Sequence, residues 1–342
     1  MSNPSANIAI VFGLLSCRSS SAAISQFALA VAPHKVLVHH DFSQAPAFSI
    51  EQDNVVVLPN PECTGWGDWS LVSATFRLIE HALALKEWDY FQLVSESCLP
   101  ARAVAAFEDY LRVQRPDVMI DLQPLHAGHP VNVMNYGWRY LPRTPRLARL
   151  ARKAGAWWIG ASWTVQTVCG GHVKVPDATR AGPAGGVLRW LGHAVSLAFL
   201  ARPAGAFPLG GVRECWVGGQ WFGVSRSAAS RLCMQRAATP QLEAHFRRCH
   251  IPDEAYVQTL VAHTKFARVL PGNHSTFWDG AKFGPEQITV EDLARIVDTG
   301  KFFARKFSLD THCPARQQQL AYLRSHAPAA AAIAAPCQVS GV

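Results

Sequence analysis

Two short segments carry side chains suited to chemistry, and each follows an apolar run that predicts a strand. His39-His40-Asp41 comes after one run, and Ser95-Glu96-Ser97-Cys98 comes after another. In doubly wound α/β sheets, ligands bind beyond the carboxyl ends of the strands, so both segments are candidates for a binding site. A third candidate is Pro252-Asp253-Glu254, whose carboxylates could exchange a proton with a substrate. Its residues also suit the first turn of a helix, where acidic groups complement the helix dipole.

Several common motifs are missing from the sequence. There is no G-x-G-x-x-G after the first predicted strand, no P-loop and no G-x-S-x-G, so these dinucleotide, phosphate and nucleophile signatures are lacking. No Asp-x-Asp pair occurs either. Two carboxylates at that spacing are the usual means by which nucleotide-sugar enzymes hold a divalent metal on a diphosphate. Their absence indicates another way to neutralise that charge, or another function.

Composition indicates a globular chain with an anionic partner. Of the 342 residues, 49% are hydrophobic and 16% are charged, which excludes disordered, collagenous and coiled-coil proteins. The net charge of +8 suits phosphates, acidic lipid or nucleic acid. The dense basic stretch, Arg139 to Lys153, comes without a zinc-finger or RNP pattern. We therefore expect no nucleic acid as a partner, and keep a basic membrane-surface or nucleic-acid-binding protein as an alternative class.

The cysteines and apolar segments predict a cytoplasmic protein. The nine cysteines are odd in number and contain no C-x-x-C, which is typical of free thiols in a reducing compartment. Ile8 to Leu15 lacks the basic start and the length of a signal peptide. Trp190 to Ala201 has twelve residues, too few to span a bilayer. It is interpreted as a buried helix or, alternatively, as a helix in peripheral contact with the inner face of the membrane.

The remaining pattern predicts one α/β domain over residues 1–326. Short apolar runs alternate with amphipathic segments over the first 125 residues, which is typical of a doubly wound sheet. Residues 126–210 are rich in Gly, Pro, Arg and Trp, and are interpreted as an insertion beside the sheet; residues 327–342 are interpreted as a flexible Ala-rich tail. Predicted strands are Ile8–Leu14, Lys35–His39, Asn54–Leu58, Tyr90–Val94, Val118–Leu122 and Trp216–Ser225. Predicted helices are Ser20–Ala32, Ser70–Lys86, Val104–Val113, one from Ser227, Leu242–Cys249, one from Pro252, and Glu291–Asp298.

Five segments resemble, in order, elements of the core-2/I-branching glycosyltransferases. This family includes β-1,6-N-acetylglucosaminyltransferases and peptide xylosyltransferases. The segments lie between residues 66 and 307, and residues 126–210 show no visible match. They are Trp66–Ala74, similar to WGxxSxVxA; Trp88–Ser95; Gly218–Arg226, similar to GSQWxxLSR; Pro252–Leu260, similar to PDE…QTL; and Phe302–Phe307, similar to FARKF.

The resemblance implies a GT-A-type fold and an inverting, metal-independent reaction. A sugar, expected to be GlcNAc, would pass from a UDP-sugar to a hydroxyl of a glycan or lipid-linked saccharide, in the biosynthesis of a polysaccharide. No cofactor and no metal are expected, in agreement with the missing Asp-x-Asp. UDP-xylose is the alternative donor, and a non-catalytic carbohydrate-binding relative is the alternative class.

The resemblance also implies roles for single residues. Glu254 matches the catalytic base, and Lys306 matches a cation that contacts the donor diphosphate, with Arg305 beside it. The other residues assigned to the donor are Lys282, as a second cation, and Asp41 and His39, which match the family's HVD element near the uridine.

Two residues are assigned to the acceptor cleft, and one departure from the family pattern leaves substrate identity open. Trp221 is expected to line the cleft, with core packing as the alternative, and Asp253 is expected to cap the helix or to orient a neighbouring group.

The family's SGxD is Ser95-Glu96-Ser97-Cys98 here, so a thiol stands at the Asp position. That substitution leaves the donor sugar and the acceptor undetermined.

Overall fold

The computed structural model describes residues 8–18, 21–125, 215–249, 251–277 and 285–326. Between residues 125 and 215 it describes only four short strands: β8 (Trp138–Tyr140) pairs with β11 (Ala201–Pro203), and β9 (Trp163–Val168) pairs with β10 (Gly171–Pro176). Outside the described residues lie Lys282, the tail 327–342, residues 141–153 of the basic stretch and 190–200 of the apolar stretch.

Seven strands form the central sheet, in the spatial order β3-β2-β1-β4-β13-β6-β14. All run parallel except β13, which is antiparallel to both of its neighbours. The prediction of a GT-A-type α/β fold, with a Rossmann-like mixed sheet flanked by helices, is confirmed. The strands are β1 (Ile10–Ser16), β2 (Lys35–His40), β3 (Val55–Val57), β4 (Tyr90–Ser95), β6 (Val118–Met119), β13 (Gly223–Ser225) and β14 (Val269–Leu270).

Helices cover both faces of this sheet, which explains why its central strands are continuous apolar runs. Every residue of β1 and β4 is buried. One face packs against α2 (Trp69–Ala84), α4 (Arg226–Ala238) and α6 (Tyr256–His263). The other face packs against α1 (Ser21–Ala30), α3 (Val104–Gln114), α7 (Asp292–Asp298) and α8 (Pro314–Ser325). A short helix, α5 (Pro240–Phe246), follows α4.

The single strand predicted over Trp216–Ser225 is wrong. Two strands form instead: β12 (Trp216–Val217) pairs with β7 (Gln123–Pro124), and β13 belongs to the central sheet. The intervening GGQWF residues connect the two strands. A side chain at Gly218 would lie 1.8 Å from the carbonyl oxygen of Asp121, so this close passage of two backbones requires glycine.

Two further elements frame the carboxyl edge of the sheet. A small sheet consists of β5 (Leu99–Pro100), β15 (His274–Thr276) and β16 (Phe303–Arg305). The helix predicted from Pro252 begins as a 3-10 turn, Pro252–Glu254, and α6 starts only after Ala255, whose φ of −142° interrupts the helix. In the part of the chain that the structure describes, no helix combines the length and apolarity needed to cross a membrane.

Candidate active site

The carboxyl ends of three neighbouring strands bring the predicted segments together. Ser16 pairs with His40 in the β1–β2 register, and Leu15 pairs with Ser95 in the β1–β4 register. Residues that follow these strands therefore lie side by side at one edge, as the sequence predicts. This edge is built from two loops: residues 41–45 after β2, and Ser95 to Cys98 after β4.

Asp41 is buried at this edge and its carboxylate is saturated with hydrogen bonds. It accepts from the backbone N–H and hydroxyl of Ser43 (2.9 and 2.6 Å), from those of Thr64 (2.7 and 2.9 Å) and from Gln44 Nε2 (2.7 Å). Burial alone would raise the pKa of Asp41, but these donors hold it far below its ordinary value. Asp41 thus fixes the loop around Thr64 against the end of β2.

The two histidines at the end of β2 also support this loop. His39 Nε2 accepts the backbone N–H of Glu62 at 3.0 Å, and burial lowers the pKa of His39, so the ring is neutral with its proton on Nδ1. That Nδ1 is buried without a partner among the described residues. His40 lies 2.8 Å from both Ser16 Oγ and the Ala45 carbonyl, and it stacks on Phe48.

The loop after β4 joins two other segments of the site. Glu96 Oε2 accepts the backbone N–H groups of Cys17 (3.0 Å) and Arg18 (3.3 Å). On its other side, the Ser97 carbonyl accepts the N–H of Phe307 at 2.9 Å. Residues 95–98, defined here as the SESC loop, therefore hold the end of β1 and the Phe302–Phe307 segment in fixed positions.

Three cations cluster around the SESC loop. Lys306 is half-buried, and its pKa is lowered by burial and then by the positive charges of Arg305 and Arg18. No carboxylate of the described residues forms an ion pair with Lys306 or Arg18. Arg18 was not predicted as a site residue. Its position two residues beyond the end of β1 could have indicated one, because ligands bind beyond strand ends. Arg18 and Lys306, which lack an ion-pair partner among the described residues, suit an anionic ligand.

Glu254 lies in the Pro252–Glu254 turn and interacts electrostatically with one cation of this cluster, Arg305. Burial and the neighbouring Asp253 raise the pKa of Glu254 to about 7, while Arg305 acts in the opposite direction. The side chain is nevertheless exposed to solvent. Protein atoms therefore surround the carboxylate while solvent still reaches it.

Asp253 is far more enclosed than its neighbour. It is 7% exposed, and its Oδ1 has no hydrogen-bond partner among the described residues. Burial, and then the charge of Asp68, raise the pKa of Asp253 to about 7. Neither the turn nor α6 is capped by a side-chain hydrogen bond, so the geometry gives Asp253 no capping role.

The spacing of the PDE and QTL residues has a direct structural explanation, because α6 holds the GGQW connection beside Glu254. Gln258 Nε2 donates to the carbonyl of Gly219 at 2.8 Å, and the hydroxyl of Thr259 lies 3.1 Å from the backbone nitrogen of Trp216. Gly218 N–H donates to the carbonyl of Glu254 at 3.0 Å. The GGQW connection and the Pro252–Leu260 segment, two separate motifs in the sequence, therefore form one rigid unit, defined here as the wall of the site.

Arg305 links the wall to the SESC loop. Its guanidinium lies 4.5 Å from the ring centre of Trp221, and it interacts electrostatically with Glu254 and Cys98. Trp221 is 8% exposed, so the Arg305 guanidinium lies over a largely buried ring. His274 tilts against Trp221 at 5.8 Å, and burial keeps the pKa of His274 well below its ordinary value, so it adds no charge.

Two further features bear on what the site could hold. Among the residues that the structure describes, no group of three His, Cys, Asp or Glu side chains could hold a metal ion. A cavity of about 650 Å³ opens elsewhere, between α2, α4 and α5. Its charged residues already pair with one another, as Arg236 does with Glu243 at 2.9 Å, and none of Glu254, Arg305 and Lys306 lines it.

The fold is an α/β fold, in which ligands commonly bind beyond the carboxyl ends of the strands. In a comparison with known protein families, the model of the Core-2/I-Branching enzyme family matches residues 33–164 of the chain. The match confirms the resemblance seen in the motifs. These enzymes are glycosyltransferases of GT-A-like fold, and the mixed sheet described above is of that type.

The matched residues contain Asp41, the Trp66–Ala74 and Trp88–Ser95 segments and the SESC loop. Glu254, Arg305 and Lys306 lie beyond the match, so their roles depend on the geometry of the site and on the three later motifs. No curated protein matches the chain significantly.

Proposed function

We propose that the protein is an inverting, metal-independent glycosyltransferase that moves GlcNAc from UDP-GlcNAc to a hydroxyl of a glycan or lipid-linked saccharide. The observation that carries the proposal is the juxtaposition of a solvent-accessible carboxylate of raised pKa, Glu254, with the cation Arg305, which adjoins Lys306 in the chain. The family match supports glycosyl transfer in general.

Glu254 suits the role of general base. In an inverting transfer the acceptor hydroxyl attacks the anomeric carbon in one step, and a base within hydrogen-bond reach removes its proton. A pKa of about 7 makes Glu254 a better proton acceptor than an ordinary carboxylate, while a large fraction stays ionised at neutral pH. Its exposure leaves room for an acceptor to approach.

Lys306 and Arg305 suit the leaving diphosphate. UDP gains negative charge as the glycosidic bond breaks, and fixed cations stabilise that charge where other enzymes use a metal. Arg305 is held by Trp221 and Lys306 by the backbone, since its carbonyl accepts the N–H of Ile288 at 2.8 Å. The Arg305 guanidinium and the Lys306 backbone are therefore positioned before the donor binds.

The alternatives differ in what they predict for binding. UDP-xylose is the second candidate donor, because Cys98 replaces the family's Asp and leaves the sugar pocket undetermined. A non-catalytic relative would keep UDP binding and lose transfer, and the presence of both Glu254 and Lys306 weighs against it.

The net charge of +8 supports peripheral contact with an anionic membrane on which a lipid-linked acceptor is presented.

A thermal-shift screen tests the proposal. UDP, UDP-GlcNAc, UDP-xylose, UDP-glucose and GDP-mannose are each added to the protein in EDTA, because a ligand that binds the native state raises its melting temperature. We expect UDP and UDP-GlcNAc to raise it and GDP-mannose to leave it unchanged. A melting temperature that no uridine nucleotide moves would refute the proposal, and salt-sensitive nucleic-acid binding would favour the third class.

A further inference from the structure

We propose that Arg18 is a further cation for the donor diphosphate, beside Lys306 and Arg305, and that Glu96 is the positioning residue that holds it there. This inference rests on the function proposed above. It adds two residues that none of the five motif resemblances assigns, one after β1 and one in the SESC loop.

Backbone hydrogen bonds fix the position of Arg18. Glu96 Oε2 accepts the N–H groups of Cys17 and Arg18, and in return the N–H of Glu96 donates to the carbonyl of Leu15 at 3.1 Å. Three hydrogen bonds thus join two adjacent strand ends. Glu96 is 9% exposed, so solvent competes little with these bonds. The Arg18 side chain itself is exposed and free to meet a ligand.

The same loop places Arg18 close to Lys306. The Ser97 carbonyl holds Phe307 at 2.9 Å, so the two cations flank one four-residue loop. Arg18 is close enough for its charge to lower the pKa of Lys306. Helix α1 begins at Ser21, three residues beyond Arg18, and its N-terminus adds partial positive charge at the same edge.

The charge balance of the loop explains what Glu96 contributes. The SGxD pattern has glycine where this chain has Glu96, and aspartate where it has Cys98. The acidic side chain, Glu96, is therefore displaced by two positions, and it accepts hydrogen bonds from the backbone N–H groups of Cys17 and Arg18 after β1. No described carboxylate forms an ion pair with Arg18 or Lys306, which suits a dianionic ligand.

Calorimetric titration with UDP and uridine, in EDTA, tests the role of Arg18. The control is Lys35→Ala, which removes the same charge from an exposed position at the opposite edge of the sheet. We expect Arg18→Ala to weaken UDP binding about 10- to 100-fold, the range of a charge-assisted hydrogen bond, and to leave uridine binding unchanged. Lys35→Ala should bind both ligands as the wild type does.

A double-mutant cycle tests the role of Glu96. If Glu96 acts through Arg18, Glu96→Ala should weaken UDP binding, and adding it to Arg18→Ala should weaken binding no further. Glu96→Gln keeps an acceptor oxygen and should restore part of the affinity. A purely structural Glu96 would instead weaken UDP and uridine binding alike, in either background, and that result would overturn the positioning role.

The results separate this inference from the proposed function. Wild-type protein that binds UDP, together with an Arg18→Ala variant that binds it equally well, overturns the inference and leaves the function standing. Wild-type protein that does not bind UDP overturns both. Arg18→Gln, which keeps a long polar side chain, serves as a second variant and should show the same loss of UDP affinity at an unchanged melting temperature.

Discussion

Replacing Asp253 with asparagine should stabilise the protein at alkaline pH. The pKa of Asp253 is raised from 3.8 to about 7 by burial and then by Asp68. The folded state therefore keeps this proton over a pH range in which the unfolded chain releases it. Since the folded state binds more protons, the free energy of unfolding falls as pH rises from about 4 and levels off above about 7.

The structure sets an upper limit on this effect. A tenfold change in acidity corresponds to about 1.4 kcal/mol, so the rise from 3.8 to about 7 corresponds to about 4 kcal/mol once both states are ionised. Part of that free energy comes from repulsion between the charges of Asp253 and its neighbour Glu254, so it also affects the ionisation of Glu254. Asparagine cannot ionise, so the stability gain of Asp253→Asn over wild type should grow by roughly 2–4 kcal/mol between pH 4 and pH 8.

Urea unfolding of wild type and variant at a series of pH values measures this difference. Any constant offset from the amide group cancels, because only the change with pH matters. Asp53→Asn, at an exposed turn, controls for the loss of one negative charge. A difference between Asp253→Asn and wild type that does not vary with pH would refute the reasoning.

The same variant should shift the pH dependence of activity. Asp253 raises the pKa of Glu254, so its neutralisation should lower that pKa. A general base works in its deprotonated form, and wild-type turnover should therefore rise through about pH 7. In Asp253→Asn the rise should occur at lower pH, as measured by UDP release from the donor between pH 5 and 9.

Three further changes have defined outcomes. Turnover should survive EDTA, because Lys306 and Arg305 are proposed to neutralise the diphosphate; complete loss that Mn²⁺ restores would contradict this. Lys306→Ala should raise the UDP dissociation constant about 10- to 100-fold, the range of a charge-assisted contact, and an unchanged value would place Lys306 outside the site. Gln258→Leu removes the donor to Gly219 and should cost about 0.5–1.5 kcal/mol of stability by urea unfolding, since the partly buried hydrogen bond is lost; an equally stable variant would contradict that role.

The sequence predicted the central elements because their patterns are strong. β1 and β4 are buried on both faces, so each is a continuous apolar run that periodicity detects readily. The meeting of Asp41 and the SESC loop also follows from sequence, since parallel strands end at a common edge. The tertiary contacts made by Asp41 do not follow, because Thr64 lies 23 residues further along the chain.

The GGQW connection shows why other features were missed. It was predicted as part of one strand, but Gly218 lies against the backbone of Asp121, and Gln258 holds the Gly219 carbonyl. Both constraints are tertiary. Arg18 was overlooked for a related reason: its proximity to Lys306 depends on the SESC loop, which joins segments nearly 300 residues apart in sequence.

The turnover of Glu254→Gln tests the central claim most directly. Glutamine keeps the shape of the side chain but cannot accept a proton at neutral pH, so UDP-GlcNAc should bind nearly normally. Turnover, measured as UDP release, should fall roughly 10²- to 10⁴-fold, the usual contribution of a general base. A variant that binds the donor and retains more than about a tenth of wild-type turnover would contradict the assignment of Glu254 as the base.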